Sequence, residues 1–258
     1  MRILEAKGIT KSFGGLVAVN NVDFHIDEEE IVSLIGPNGA GKTTFFNTIT
    51  GIYEPTSGEV QFLGEKLKKS KPFEITKLGI GRTFQNIRLF SSMTVLENVM
   101  VGQYCRTSTN LFGAIFTTPK VKNEEKMVKE RALEILDFLE LTDKKDEIAV
   151  SLPYGYQRRV EIARALATEP KLLLLDEPAA GMNTGEKVEM TQLIKKIRGK
   201  GYTTLVIEHD MKLVMGISDR IVVLEYGNKI AEGLPQEIQR NERVISAYLG
   251  KGGAQKDA

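Results

Sequence analysis

What this chain lacks narrows its class before any motif is read. It has no second cysteine: with Cys105 alone among 258 residues, no internal disulfide can form. It has no excess of charge, since 35 lysines and arginines face 34 acids for a formal net charge of +1. No whole-molecule field draws it to nucleic acid or anionic lipid, so any anion site must be local. No apolar run approaches the roughly 20 residues that cross a bilayer; the most apolar pieces are LLLL at 172–175 and LFGAIF at 111–116. The amino terminus lacks the charged, apolar and small-residue order of a signal peptide, and no internal repeat is visible. A cytoplasmic protein is expected, one that works at a membrane only by docking on another protein. What is present, 41% hydrophobic residues, suffices for a large core with a smaller appended lobe.

Hydrophobic patterning gives the organisation. Val22, Phe24 and Ile26 alternate with polar residues, as in a half-buried antiparallel strand. IVSLIG at 31–36 is almost all apolar and β-branched before it stops at glycine, the pattern of a strand buried on both faces. A helix is expected over TTFFNTITG, ending at Gly51, and a strand over GEVQFL at 58–63. From about 124 to 141, Met127, Ala132, Leu133, Ile135, Leu136 and Leu139 are spaced for the apolar face of an amphipathic helix. Strand and helix signals then alternate through KLLLLDEP, VEMTQLIKKIRGKG, YTTLVIEHD and DRIVVLEYG, which predicts a parallel sheet with crossover helices. The expected fold class is therefore α/β, with sheet-forming pieces flanking a helical insertion. The final KGGAQKDA is small and charged and reads as a disordered tail, residues 251–258.

Chemistry enters at GPNGAGKTT, residues 36–44. Gly36, four residues, then Gly41, Lys42 and Thr43 match the phosphate-binding loop, in the strand-to-helix context the motif requires. Its backbone amides, through Asn38, Gly39, Ala40 and Thr44, would curl around phosphate oxygens. The helix amino terminus and Lys42 supply positive charge, and the Thr43 hydroxyl can ligate Mg2+. The second element is LLLLDEP. Asp176 ends a buried strand where a carboxylate can reach the magnesium shell, and Glu177 follows at the mouth of the site. Neighbouring carboxylates on an extended strand point to opposite sides, so Asp176 is read as the metal-side residue and Glu177 as the base that polarises water.

With these motifs in place the chain resembles, over nearly its whole length, the ATP-binding subunit of ABC transporters. The resemblance implies a RecA-like P-loop NTPase core with an antiparallel β subdomain and an inserted α-helical subdomain. It places the first core part at 1–90, the helical subdomain at 91–158, the second core part at 159–235 and a C-terminal segment at 236–250. It implies ATP as substrate with Mg2+. Phe13 in KSFGG falls where an aromatic stacks on adenine, though taken alone it reads more readily as a core aromatic. Gln85 in RTFQN falls where a glutamine contacts magnesium and water and senses the transmembrane partner. His209 in VIEHD matches a histidine near the γ-phosphate, though a strand-end histidine is ordinarily a surface or core residue, the reading that His25 keeps. AAGMN at 179–183 falls on a dimer-contacting loop, with Asn183 where the family usually has aspartate.

The family signature, commonly Leu-Ser-Gly-Gly-Gln, aligns with Leu152, Pro153, Tyr154, Gly155 and Tyr156, held in frame by VEIARAL. In the family it opens a helix aimed at ATP bound by the other subunit of a head-to-tail dimer. Proline in place of serine removes a hydroxyl and an N–H, but proline is tolerated where a helix begins. Pro153 and Gly155 are thus expected to form an altered but working anion contact. The stretch from VGQYC to KNEE at 101–125, the C-terminal AEGLPQEIQRNERVISAYLG, the Tyr-Gly signature and EPAAGMN are similar to the LivG-type subunit of branched-chain amino acid importers. That implies a LivF-type ATPase, two membrane permeases and an extracytoplasmic solute-binding protein as partners, at the cytoplasmic face of the inner membrane. Related systems for urea or amide import or lipopolysaccharide export are the alternative. LFGAIF reads either as packing under a loop or as a partner contact.

Overall fold

The computed structural model describes residues 1–67, 70–107 and 119–249; LFGAIF and the KGGAQKDA tail lie outside them. Two sheets carry the fold. β1 (Arg2–Phe13) pairs antiparallel with β2 (Leu16–Asp27) and with β4 (Ser57–Phe62), and β5 (Glu65–Lys66) completes a four-stranded sheet of order β2-β1-β4-β5. The second sheet has six strands. Its order is β10 (Asn228–Gly233), β9 (Arg220–Glu225), β3 (Ile31–Ile35), β8 (Thr203–Ile207), β7 (Leu172–Asp176), β6 (Ile80–Arg82), parallel except for the antiparallel β10 at one edge.

The expected strand at 31–36 is central β3, every residue of it buried, as are all of β7 and β8. Sheets with crossover helices cover both faces, so such strands are apolar without alternation. The four leucines divide between the two faces. Leu172 and Leu174 join a core with Phe24, Phe45 and Phe46 under the antiparallel sheet, while Leu173 and Leu175 join one with Ile162, Ile194 and Leu213.

Helix α1 (Lys42–Ile49) follows β3, and α2 (Pro72–Leu78) precedes β6. Between β6 and β7 come α3 (Val95–Gln103), α4 (Pro119–Phe138) and α5 (Tyr154–Leu166). Helix α3 opens on a capping box in which the Thr94 hydroxyl accepts from Glu97 N and the Glu97 carboxylate accepts from Thr94 N. Helix α4 starts earlier than its sequence pattern suggests, and Met127 is not on its apolar face: Met127 is 69% exposed, and the buried stripe runs through Val121, Val128, Ala132, Ile135 and Leu136. Met127 instead shares a helix face with exposed Arg131 and Glu134, to the side of that stripe. Helix α5 runs from Tyr154 to Leu166, across the position of the expected boundary at 158.

Helices α6 (Thr184–Arg198) and α7 (Met211–Ile217) connect β7, β8 and β9. After β10, α8 (Pro235–Arg240) and α9 (Glu242–Leu249) set Ile238 and Val244 against Val214, Ile221 and Val223. Among the described residues no helix is long and apolar enough to cross a membrane.

Candidate nucleotide site

The turn from β3 into α1 is shaped by where its glycines sit. Gly36 has φ +149° and a Cβ there would lie 2.1 Å from the Leu224 carbonyl oxygen; Gly41 has φ +93° and its Cβ would lie 2.3 Å from that of Ala18. Both positions exclude every other residue, on backbone conformation and on space. The loop is wedged between β2 and the end of β9. No acidic residue occupies the first turn of α1, so the partial positive charge of its amino terminus is uncompensated. The Lys42 ammonium bends back to donate to the carbonyls of Gly36 (2.7 Å) and Pro37 (3.1 Å). Burial pushes its pKa down, partly opposed by the charge of Glu177.

One cleft gathers Asn38, Gly39, Ala40, Gly41, Lys42, Thr43 and Thr44 with Gln85 and Glu177, bounded on the other side by Leu16, Val17 and Ala18 of β2 and by Tyr226 of the β9–β10 turn. Gln85 Nε2 donates to Glu177 Oε2 at 3.0 Å across its mouth. Glu177 is not an extended residue: its φ is +48°, a left-handed conformation costly for a side-chain-bearing residue, and its N–H donates to the Ile207 carbonyl at 2.9 Å. The two carboxylates therefore part because the chain turns at Glu177, not through strand alternation.

Asp176 is buried and does not line the cleft. Arg82 donates to it at 3.1 Å and to Asn47 Oδ1 at 2.6 Å, with its guanidinium 4.5 Å from the Phe46 ring centroid. Burial raises the Asp176 pKa, and the charge and hydrogen bond of Arg82 draw it back. This counter-ion is absent from the sequence reading. Its only trace was one arginine three positions before Gln85.

The other expected residues stand apart. Phe13 ends β1, 44% exposed, edge-on to Tyr53 at 5.5 Å and paired in register with the cleft residue Leu16. It is not a core aromatic. The His209 side chain is 61% exposed at the end of β8, outside the cleft. The His209 backbone N–H donates to Glu208 Oε2 at 2.8 Å, while Glu208 Oε1 accepts from the Ala179 backbone N–H at 2.9 Å. Glu208, a buried carboxylate the sequence reading passed over, thus joins the His209 turn to the loop at 179–183. Pro153 and Gly155 lie in a separate hollow with Met182, Glu186 and Met190. Pro153 is the N-cap of α5 rather than a first-turn residue, and its carbonyl accepts from Tyr156 N and Gln157 N at 3.0 and 3.1 Å. Asn183 caps α6 in a box with Glu186.

A third surface lies on the far side of Gln85. An apolar groove is walled by Phe84, Arg88, Leu89 and Phe90 of the segment after β6, with Phe73 and Ile75 of α2 opposite and Cys105 and Arg164 at its end.

The ABC transporter family model matches residues 19–180, and the model described as branched-chain amino acid ATP-binding cassette transporter matches residues 228–254. The chain is 48% identical over 250 residues to the high-affinity branched-chain amino acid transport ATP-binding protein BraF of Pseudomonas aeruginosa, covering 96% of this chain and 98% of that one. It is 47% identical over 250 residues to LivG of Escherichia coli K12, a protein of the same description, with the same two coverages. A solved ADP-bound ATP-binding cassette of an ABC transporter superposes with a TM-score of 0.84 at 35% identity, covering 97% of this chain and all (100%) of that one.

Proposed function

The chain belongs to the ABC transporter family as an ATP-binding cassette, and we propose that it is the LivG-type ATPase of a branched-chain amino acid importer, acting on the cytoplasmic face of the inner membrane. Its partners in this reading are a LivF-type ATPase, two permeases and an extracytoplasmic solute-binding protein. The observation that carries the proposal is the cleft, where the phosphate loop and the Gln85–Glu177 hydrogen bond meet. The match of the C-terminal segment supplies the transport system.

ATP enters with its base toward Phe13 and Leu16 and its phosphates over the amides of residues 38–44, where Lys42 adds a full charge. Thr43 and Gln85 would offer hydroxyl and amide oxygens from the cleft, and Asp176 a carboxylate from behind it, where Arg82 now holds it, together the hard donor set that suits Mg2+. Bound there, Mg2+ would offset negative charge on the β- and γ-phosphates. Glu177 accepts the proton of the attacking water while Gln85 fixes the carboxylate's orientation, and His209 approaches the γ-phosphate when two cassettes close. Because Pro153 and Gly155 lie in a hollow apart from Lys42, the amino terminus of α5 serves the partner's ATP. The groove behind Gln85 receives an apolar segment of a permease.

The test is ATPase activity in vesicles holding both ATPases and both permeases. Binding protein loaded with a branched-chain amino acid should raise it, and Glu177→Gln should cut the rate at this chain's site by about 100-fold with ATP affinity preserved. Stimulation by another solute class, or unchanged turnover in the variant, would refute the reading.

A further inference from the structure

Helix α5 carries a charged pair inside the protein. Arg158 is 0% exposed and Glu161 1% exposed, and one turn of helix sets them side by side with Arg158 Nη1 2.7 Å from Glu161 Oε2. Each partner also grips the segment that bears Gln85. Arg158 Nη1 donates to the Phe84 carbonyl at 2.6 Å and Nη2 to the Gln85 carbonyl at 2.8 Å. Glu161 Oε1 accepts from Phe84 N at 3.3 Å and Arg88 N at 3.4 Å. One side-chain pair therefore holds the backbone on both sides of Gln85.

Stability does not account for such a pair. Two charges removed from water gain little over apolar residues of the same volume, and here the Arg158 Nε has no hydrogen-bond partner among the described residues. What the pair supplies is direction. A guanidinium has a fixed planar fork, so two carbonyls and a carboxylate bound to it have fixed relative positions. We propose that Arg158 and Glu161 are positioning residues that make the Gln85 segment and helix α5 move as one body.

Both ends of that body face something functional. The segment's outer side walls the apolar groove, with Phe90 fixed by Asn98 through N–H and carbonyl (2.9 and 3.2 Å) and Arg164 of α5 stacked 5.5 Å from its ring. Its inner side presents Gln85 to Glu177. At the other end, Arg158 Nη2 donates to the Tyr154 hydroxyl at 3.2 Å, and Tyr154 is the first residue of α5, beside Pro153. Pressure in the groove is thereby delivered to two places: Gln85 in this chain's site and the LPYGY terminus in the partner's. The inference rests on the proposed docking of a permease in the groove.

The experiment compares Arg158→Lys and the double substitution Arg158→Met/Glu161→Leu with the wild type in the assembled transporter. Lysine keeps the charge opposite Glu161 but replaces the fork by one ammonium; the double variant fills the space without a lone buried charge. Melting temperature, co-purification with the permeases, ATP affinity and the ratio of permease-stimulated to basal ATPase rate are measured. We expect both variants to fold, co-purify and bind ATP, with the ratio reduced roughly tenfold, the scale of one charge-assisted hydrogen bond lost. A merely structural role would lower basal and stimulated rates together and leave the ratio unchanged, which would overturn the proposal. So would unfolding of both variants, which assigns the pair to the scaffold. If the wild type neither co-purifies with permeases nor responds to them, the docking reading fails instead.

Discussion

Phe13 has its ring partly in water and its edge against Tyr53, so removing it leaves no cavity. Phe13→Ala should weaken ATP binding by about 1 kcal/mol, roughly fivefold, with Phe13→Tyr nearly silent. Equilibrium binding beside a thermal melt checks this; a drop in melting temperature at constant affinity would return Phe13 to a packing role. The proposed phosphate-loop residues were legible in the sequence because that motif is defined by spacing: Gly41, Lys42 and Thr43 line one cleft, and Gly36 turns the chain toward it. Arg82, Arg158, Glu161 and Glu208 were not. Each is a common charged residue in a helix or at a strand end, and only tertiary contact shows it, buried or in the case of Arg82 half-buried, against a partner distant in sequence. Met127 failed for a related reason, since period alone does not say which flank of a broad apolar stripe meets the core.

Among the elements, buried strands were readable from composition, and β3 and β7 fall where IVSLI and LLLLD stand. Strand β6 was not. Three residues, one of them glycine, carry no period, and it exists because Gly81 lets it lie close under the Ala165 carbonyl, where a Cβ would come to 3.0 Å. Helix α5 shows how a substitution is absorbed at an element's end. At the N-cap no N–H of Pro153 is needed by the helix, but a proline also supplies no side-chain oxygen to the free amides of the first turn. A serine there would cap the helix and, in the proposed head-to-tail dimer, give the partner's phosphate a hydroxyl. Pro153→Ser should therefore raise the melting temperature slightly. It should speed the isolated chain's ATPase roughly tenfold, by about 1.5 kcal/mol in the transition state, and that of the full complex less, because only one of its two sites is affected. Steady-state rates alone and in complex decide it; equal rates alone and in complex, unchanged by Pro153→Ser, would show the altered cap to be energetically silent.

For the whole molecule the joint between the two sheets matters most. Arg220 opens β9 and donates to both Glu30 oxygens (2.8 and 2.9 Å) and to the His25 carbonyl of β2 (2.8 Å), and also to Glu232 of β10. Burial pushes the Glu30 and Glu232 pKa values up. Arg220 with the Asp27 N–H for Glu30, and Lys229 with Arg220 for Glu232, outweigh it, so both carboxyls end below their ordinary range. A carboxylate depressed on folding adds stability above its unfolded pKa and loses it as pH falls through the folded value. Arg220→Met should cost about 2 kcal/mol at pH 7. The difference from wild type should shrink as acid protonates both groups. Melts across pH 7 to 3 test the sign, and a gap that widens in acid would reverse it.

The seat of the phosphate loop also sets an order of events in synthesis. Residues 36–44 are contiguous and emerge early, yet Gly36 is packed beneath Leu224, and Gly41 sits between Ala18 and Gly227. Nearly two hundred residues must leave the ribosome before the last wall arrives, and contacts so distant along the chain close late. A growing chain that ends before the β9–β10 turn has the motif but not the pocket. ATP binding by stalled nascent chains of increasing length should therefore begin abruptly beyond that turn, and binding by shorter chains would show that the motif seats itself. A half-made cassette would then be unable to consume ATP, and translation of this chain would act as its own safety catch.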